Sequence, residues 1–559
     1  MKKLLPLLLS AFSLGAQAQS APAWTWARSL NSSATSTSSS ITTDAAGNTY
    51  VTGSFTQPIT LAPGTVLTSA GGVDGFVAKY DAAGALLWSR QLAGTANELF
   101  QQVVLDASGN VTLVGMASDG TTLGNFTFTN SGFGTSLVLA HLSAQGQVLK
   151  VDEIGSGSIL LIVSDLALDA AGNAYVSGTF GIDATFGQFN VTTPIVGMDV
   201  TVDQFLVKVS PQGVPLWVQQ GGRTPVPAGT PGQFHYSSLA VEPNGTSYLT
   251  WTCNPNAGDF GSIPMPLGFG SFDAMVVKYD TQGTPLWISR GGSAGHDFAG
   301  RITLDASGRV VVPGMVPAPG TFAGQQVAVS STPMGFLWVV EPAAGTTVWV
   351  RSIGATQGAA YRAATADAAG NIYVAGHYTG QGTLGTTTLN GAGGFDGVVA
   401  SYSANGGLRW TQQTAGTGDE APFSISLDGT NHLAVGGFLG GAGLFGTVAV
   451  TGQSAVPSNG ATPGNLFVAH LGSVTTPTAT KAARAALSLA LYPNPAATDE
   501  TVVLPTLPSG TLTTITDAMG RTTRQPAARL LLSGLAPGVY VVVAQAPDGQ
   551  QWVNRLVVK

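Results

Sequence analysis

Three observations predict an all-β chain. A segment typified by DAAGNTYVTGSF, residues 44–55, returns in variant form seven times; each return is followed by further short stretches of alternating apolar residues; and charged residues make up only 9% of the 559 positions, against about 25% in ordinary globular proteins. Together they specify a seven-bladed β-propeller closed by an N-terminal strand and followed by a small C-terminal β-sandwich. With 75 Gly and 31 Pro the chain is rich in turn formers, and its 44% hydrophobic content supplies cores that a disordered chain would lack. A net charge of −7, with no basic run after Lys3, argues against nucleic acid or an anionic membrane surface as a partner.

Residues 1–18 read as a secretory signal peptide: Lys2 and Lys3 are followed by an apolar stretch from Leu4 to Leu14 and by Ala16-Gln17-Ala18, a small-x-small cleavage site. The apolar stretch is too short to span a bilayer core of about 30 Å, so the mature chain is expected to carry no transmembrane segment. No Cys stands near the cut to take a lipid. The single cysteine, Cys253, excludes an intramolecular disulfide and is expected to be a buried small residue.

The propeller is assigned to residues 19–471. Asp44 is echoed by Asp106, Asp169, Glu242, Asp305, Asp367 and Asp428, at steps of 62, 63, 73, 63, 62 and 61 residues. Four alternating segments can be read within each repeat, in the first at residues 40–43, 49–55, 75–80 and 85–92. The connections Asp44-Ala-Ala-Gly47, Asp81-Ala-Ala-Gly84, Ser210-Pro-Gln-Gly213 and Asp280-Thr-Gln-Gly283 suit type I turns, in which the leading side chain accepts backbone hydrogen bonds and Gly supplies positive φ. One carboxylate per turn is too few oxygens for a calcium loop.

The fourth segment carries Trp88, Trp217, Trp287, Trp349 and Trp410, with Lys150 in its place in repeat 2. Recurrence at one strand position points to packing between blades rather than to a row of sugar platforms. Repeat 7 stops at Leu471 without this segment, but Trp26-Ala-Arg-Ser-Leu30 matches Trp88-Ser-Arg-Gln-Leu92. Residues 24–30 are therefore expected to complete the last blade and remove the open edge.

On these residues the repeats resemble the bacterial SBBP β-propeller family, in which a segment like I-x-x-D-x-x-G-N-x-Y-V-x-G precedes one like D-x-F-V-x-K-Y-D-x-x-G. Asp74-Gly-Phe-Val-Ala-Lys-Tyr-Asp81 and Asp273-Ala-Met-Val-Val-Lys-Tyr-Asp280 match well, whereas repeats 2 and 5 depart, with Ser136 and Gly335 in place of the first Asp. The resemblance spans roughly residues 24–471. It implies a fold and no assigned activity.

Between the second and third segments every repeat holds an irregular insert with an apolar-small pair: Leu61-Ala62, Leu123-Gly124, Phe186-Gly187, Phe260-Gly261, Phe322-Ala323, Leu384-Gly385 and Phe445-Gly446. Inserts and blade connections are expected on one elaborated face, opposite the tight turns, and ligand contact belongs there. The longest stretch, between repeats 3 and 4, includes the insert at 181–202 and the connection with Arg223, His235 and Tyr236. Acidic residues in other connections, Glu98, Asp297, Asp419 and Glu420, are candidates to converge near the central channel, the alternative being that they cap the loops before each inner strand.

No catalytic constellation stands out. His141, His235, His296, His377, His432 and His470 show no H-E-x-x-H spacing; His141 and His470 occupy equivalent third-strand positions, which suggests a structural role. The run from Gly155 is only a near miss to Gly-x-Ser-x-Gly, and Gly391–Gly394 lacks a P-loop lysine. No catalytic, cofactor-binding or metal-binding residue is assigned and no cofactor is implied.

Residues 472–486, with Thr-Thr-Pro-Thr-Ala-Thr, read as a linker. Residues 487–559 form a second module with strands expected at 501–504, 511–516, 529–532, 538–545 and 551–558. Its Tyr492-Pro-Asn-Pro495, Asp517-Ala-Met-Gly520, Leu535-Ala-Pro-Gly-Val-Tyr540 and terminal Arg555-Leu-Val-Val-Lys559 resemble the C-terminal sorting domain of the type IX (Por) secretion system. The resemblance implies the type IX machinery as partner through 487–559, and delivery to the outer-membrane surface or release outside the cell. Two functional readings follow: a surface or secreted propeller that binds a glycan, peptide or protein, and, as the alternative, an extracellular polysaccharide hydrolase or lyase on the same scaffold.

Overall fold

The structure, a computed structural model, describes residues 21–559 except 33–35, 131–133, 158–159, 194, 197–198, 227–236, 254–259, 262, 323, 328–331, 453–464, 475–486, 505–506, 508–510, 518–520, 527–528 and 546–550. The signal pattern at 1–18, His235, Tyr236, residues 475–486 of the linker and Ala518 to Gly520 lie outside the described residues, as do the side chains of Arg223 and Cys253. The chain divides after Val474 into two compact units. The described elements are strands, with no helix among them.

In the larger unit each repeat builds an antiparallel meander. Repeat 1 runs through Ser36–Thr43, Thr49–Phe55, Asp74–Tyr80 and Leu86–Ala93, with Thr49 opposite Tyr80 and Lys79 opposite Trp88. The first strand of a repeat carries a one-residue bulge, between Ser38 and Ser40, Phe100 and Gln102, Val163 and Asp165, Tyr361 and Ala363, and Pro422 and Ser424. Such bulges bend a strand and sharpen its twist. In repeat 7, Asp419–Leu427, Leu433–Gly440 and Asn465–Leu471 are joined by Trp24–Ser32, which pairs antiparallel with Asn465–Leu471, setting Trp26 opposite His470 and Leu30 opposite Leu466. The arrangement is propeller-like.

The tight turns form as their chemistry dictates. Asp44 Oδ1 accepts from the amides of Ala46 and Asn48 at 3.0 and 2.9 Å, and Oδ2 from the Asn48 side chain and the Tyr50 hydroxyl at 2.7 and 3.2 Å. Asp169 and Asp367 repeat the pattern with Asn173 and Tyr175, and with Asn371 and Tyr373. The polar residues of the repeat signature are thus spent on one hairpin.

Four of the outer-strand tryptophans tie their repeat to the next. Trp88 Nε1 donates to the Ala144 carbonyl at 3.2 Å, Trp217 to Thr281 at 3.4 Å, Trp287 to Pro342 at 3.1 Å and Trp349 to Ala404 at 3.1 Å. Each acceptor is the second residue of the following repeat's second turn. The indole lies flat against that turn's glycine: Gly146, at φ 76°, leaves no room for a Cβ beside Trp88. In repeat 2 Lys150 Nζ reaches the equivalent carbonyl, that of Pro211, at 2.8 Å.

The inserts behave differently from free loops. Ile59–Ala62 pairs with Trp24–Ser32, Thr122–Leu123 with Leu86–Ala93, Asp183–Phe186 with Val148–Gly157, Thr321–Phe322 with Pro285–Gly292, and Ala442–Phe445 with Leu408–Gly416. These inserts add strands to the outer edge of the preceding repeat, and in all seven repeats the apolar member of the pair, from Leu61 to Phe445, is at most 2% exposed. Burying one such side chain stabilises by about 1.5–3 kcal/mol. This corrects the expectation of an elaborated face open to ligand: the regular part of each insert is a plug between repeats.

In the smaller unit, described on its own, Leu487–Ser488, Leu512–Thr516, Thr522–Pro526, Gly538–Gln545 and Gln551–Val558 form one sheet, and Thr501–Val503 pairs with Arg529–Leu531. The strand Thr522–Pro526 was not expected from its polar, Pro-ended sequence. Just before it, Asp517 accepts from the Arg521 amide and Nε at 2.9 and 2.7 Å. Leu489, Val502, Ile515, Leu530, Val542 and Leu556 lie in its core. Asn494 of the Tyr-Pro-Asn-Pro segment donates to the Arg555 carbonyl at 2.6 Å and accepts from the Val557 amide at 2.9 Å, so two of the recognised motifs meet.

Candidate functional site

The acids of the blade connections fall into pairs. Glu98, Asp297 and Glu420 stand at one position of repeats 2, 5 and 7, each 24 residues after a third-strand acid of the preceding repeat: Asp74, Asp273 and Asp396. All six are 0% exposed. That constant spacing of 24 is the sequence signal that could have found the pairs. The structure therefore revises the expected convergence: Asp297 meets Asp273, Glu420 lies within reach of the Asp396 charge, and Glu98 turns to the Ser118 and Thr121 hydroxyls of its own repeat. Among the described residues no three His, Cys, Asp or Glu side chains are placed to hold one metal ion.

The three pockets are finished differently. Asp74 Oδ2 accepts from Ala70 N and Gln91 Nε2 at 2.8 and 2.6 Å, while Glu98 Oε1 takes the Ser118 and Thr121 hydroxyls. Asp273 holds Arg290, whose Nε lies at 2.8 Å, and Asp297 accepts from the Ser293 amide at 2.5 Å and hydroxyl at 2.6 Å. Burial, partly offset by the Ser293 bonds and reinforced by the Asp273 carboxylate, pushes the Asp297 carboxyl up to about 7. Glu420 is raised to about 7 by burial and by the charges of Asp396 and Asp419. Asp419, half-buried, accepts from the Phe395 amide at 2.8 Å.

The first strands meet in a second polar network that the sequence reading missed. Asp165 Oδ1 accepts from Gln102 Nε2 at 2.5 Å and its Oδ2 from Ser238 Oγ at 2.8 Å and Leu239 N at 3.0 Å, while Arg301 Nη1 donates to Gln102 Oε1 at 2.6 Å. Repeats 2, 3, 4 and 5 are linked in this way, including the non-adjacent 2 and 5. Ser424 Oγ likewise accepts from Ile41 N at 3.1 Å, joining repeats 7 and 1. Gln102, Asp165 and Ser424 sit at the bulges, whose irregular register turns a polar side chain toward the neighbouring strand.

The histidines have structural surroundings. His141 contacts Thr112 Oγ1 at 3.3 Å and Asp152 at 3.5 Å. His296 stacks on Phe272 with centroids 5.0 Å apart, and His377 lies 4.5 Å from the Phe395 ring. His432 and His470 stack at 5.3 Å beside Asp428. Gly155 and Gly391 pack close to Phe186 and Asp396 respectively, leaving no space for a Cβ. Exposed apolar side chains gather by the acid pairs: Leu267, Phe269 and Phe298 flank the Asp273–Asp297 pocket in sequence, and Phe395 precedes Asp396.

No protein-family model matches the chain. An uncharacterized WD repeat-containing protein, L264, of Acanthamoeba polyphaga mimivirus is 18% identical over 508 residues, covering 74% of this chain and 36% of the viral protein. The chain thus spans about a third of the length of that curated relative. Among solved structures, a puromycin hydrolase aligns with 95% of this chain and 63% of its own at 13% identity and a TM-score of 0.37. The endosialidase of phage phi92 aligns with 95% and 87% at 8% identity and a TM-score of 0.36. At these scores the likenesses carry no conclusion about chemistry.

Proposed function

We propose that the chain is an exported, non-enzymatic binding protein: a seven-bladed β-propeller, closed by residues 24–30, that presents a surface to a glycan, peptide or protein. The observation that carries this reading is the complete burial of the Asp74–Glu98, Asp273–Asp297 and Asp396–Glu420 pairs. A glycoside hydrolase or lyase needs carboxyl groups that reach substrate in an open cleft, and these acids are spent between repeats. The exposed Leu267, Phe269, Phe298 and Phe395 favour contact through the connection-bearing side of repeats 4 to 7. Pairing of Trp24–Ser32 with Asn465–Leu471 supports the closed ring.

Purified protein on a glycan array, run beside a polysaccharide turnover assay, tests the reading. Binding without turnover, lost on changing Phe269 and Phe298 to Ser, is the supporting result. Turnover abolished by Asp419→Asn overturns it.

Export completes the proposal: the signal peptide at 1–18 takes the chain across the inner membrane and the module at 487–559 hands it to a type IX secretion machinery for surface attachment or release. The union of the Tyr492–Pro495 and Arg555–Lys559 segments through Asn494 supports treating them as one recognition element. A chain ending before Leu487 should stay in the periplasm. Normal surface delivery of that truncate defeats the assignment.

A further inference from the structure

Glu420 shares its repeat position with Glu98 and Asp297 but none of their partners. The residues aligned with Ser118 and Thr121, whose hydroxyls serve Glu98, are Gly440 and Gly443 in repeat 7. At the position of Ser293, which serves Asp297, repeat 6 has Gly416. Both oxygens of Glu420 are left without a hydrogen-bond partner on a fully buried side chain. The facing Asp396 is also fully buried: its Oδ1 accepts from Ala392 N at 3.1 Å, and its Oδ2 has no partner. Where Asp74 has Gln91 and Asp273 has Arg290, Asp396 has Gln413, whose carbonyl is taken by the Tyr378 hydroxyl at 2.9 Å.

An ionised carboxylate is not left bare in a protein interior; it is paired, coordinated or neutralised. The groups whose charges bear on Glu420 are Asp396 and Asp419, both acidic. Glycine gives the space and carbonyls give further oxygens. A Cβ on Gly416 would collide with Glu420 Oε1 and the Ala442 carbonyl, and one on Gly391 would come within 2.5 Å of both Asp396 Oδ2 and the Gly380 carbonyl. Glu420 Oε1 and Asp396 Oδ2 thus each share a glycine-lined niche with a backbone carbonyl, those of Ala442 and Gly380. An all-oxygen, irregular pocket suits Ca²⁺, which takes about 6–8 oxygens from carboxylates, carbonyls and water, better than Mg²⁺, which demands near-octahedral geometry.

We propose that the pocket between repeats 6 and 7 is a Ca²⁺ site in which the carboxylates of Asp396 and Glu420, with neighbouring backbone carbonyls and water, hold the ion. Asp419 adds negative charge without touching it. The bound ion ties repeat 6 to the repeat completed by the N-terminal strand.

The test is thermal unfolding and calorimetric titration of the full chain, stripped with EDTA and then given CaCl₂ or MgCl₂. The wild type should show a saturable heat with Ca²⁺ and a Tm that climbs with the logarithm of Ca²⁺ concentration above the dissociation constant. Glu420→Gln should lose both responses yet, in EDTA, be at least as stable as wild type, since it removes a buried charge. Glu98→Gln, at the hydroxyl-served position, should keep the Ca²⁺ response. If Glu420→Gln does not fold, Asp396→Asn carries the same readout. No Ca²⁺ response in the wild type at about 1 mM, a response retained in the pocket variants, or an equal response to Mg²⁺ would overturn the assignment.

Discussion

The indole of Trp26 donates from Nε1 to the carbonyl of Ala82 at 2.9 Å, 56 residues further along the chain. The ring lies against Gly84, held at φ 81°, as Trp88 lies against Gly146 in the next pair of repeats. The first strand of the chain therefore makes, between repeats 7 and 1, the bond that Trp88, Trp217, Trp287 and Trp349 make from fourth strands elsewhere. Trp26→Ala should cost about 2–4 kcal/mol through lost aromatic packing and hydrogen bonding, and Trp26→Phe about 1 kcal/mol through the bond alone. Urea unfolding of both variants measures this. Equal losses for the two would show that packing contributes nothing at this junction.

Lys150 performs the same junction between repeats 2 and 3 with different chemistry. Its ammonium meets the Pro211 carbonyl at 2.8 Å and Asp152 at 2.5 Å, and its side chain is 36% exposed. Screening by solvent keeps such a contact near 1 kcal/mol or below. Lys150→Met should therefore destabilise by less than Trp88→Ala, and its effect should shrink in 0.5 M NaCl while that of Trp88→Ala does not.

What could be read from the sequence was whatever each repeat carries within itself. The Asp-x-x-Gly turns, the strand alternation and the Trp26-Ala-Arg-Ser-Leu30 copy are local patterns, and local chemistry forms them. Partners supplied by another repeat were hidden. Asp297 read as a channel candidate because its coupled acid, Asp273, stands 24 residues upstream on a strand of the preceding repeat, and Glu98 because the hydroxyls that serve it, those of Ser118 and Thr121, lie on the far side of a hairpin. The inserts misled for the same reason: Phe186 and Phe322 look like loop residues until the preceding repeat's outer strand, with Gly155 and Gly291 making room, is seen beneath them.

The Asp273–Asp297 pair sets one pH dependence. Burial, and then the Asp273 charge, raise Asp297 to about 7, against an ordinary value of 3.8. The folded chain therefore holds a proton that the unfolded chain releases between about pH 4 and 7. This contribution is fully present below about pH 4 and is lost as pH rises through 7. Asp297→Asn, which keeps an acceptor for Ser293 and gains a donor for Asp273, should be more stable than wild type at pH 8 and lose that advantage by pH 4.5. A constant difference between the two proteins across that range would show that the pair does not share a proton.

His470 drives the opposite slope where Trp24–Ser32 pairs with Asn465–Leu471. Burial, then the nearby His432, lower it to about 4, with Asp428 opposing. Its ring stacks on Trp26 at 5.5 Å and an interplanar angle of 3°, and its Nδ1 lies 3.1 Å from Thr25 Oγ1. Protonation between pH 6.5 and 4 favours the unfolded chain, so the stability that neutral His470 confers is present above about 6.5 and falls away toward 4. His377, lowered to about 3 by burial and Arg362, adds to the same slope. His470→Gln should remove part of the acid loss while His377 keeps the rest. Urea midpoints at pH 7.0, 5.5 and 4.5 read this directly, with wild type falling faster than the variant by an amount of order 1–3 kcal/mol across the range. Because His470 is paired with Trp26, hydrogen exchange should place the earliest acid opening in Trp24–Ser32 and Asn465–Leu471; opening that begins in repeats 2 to 4 would show that the junction is not the acid-sensitive point.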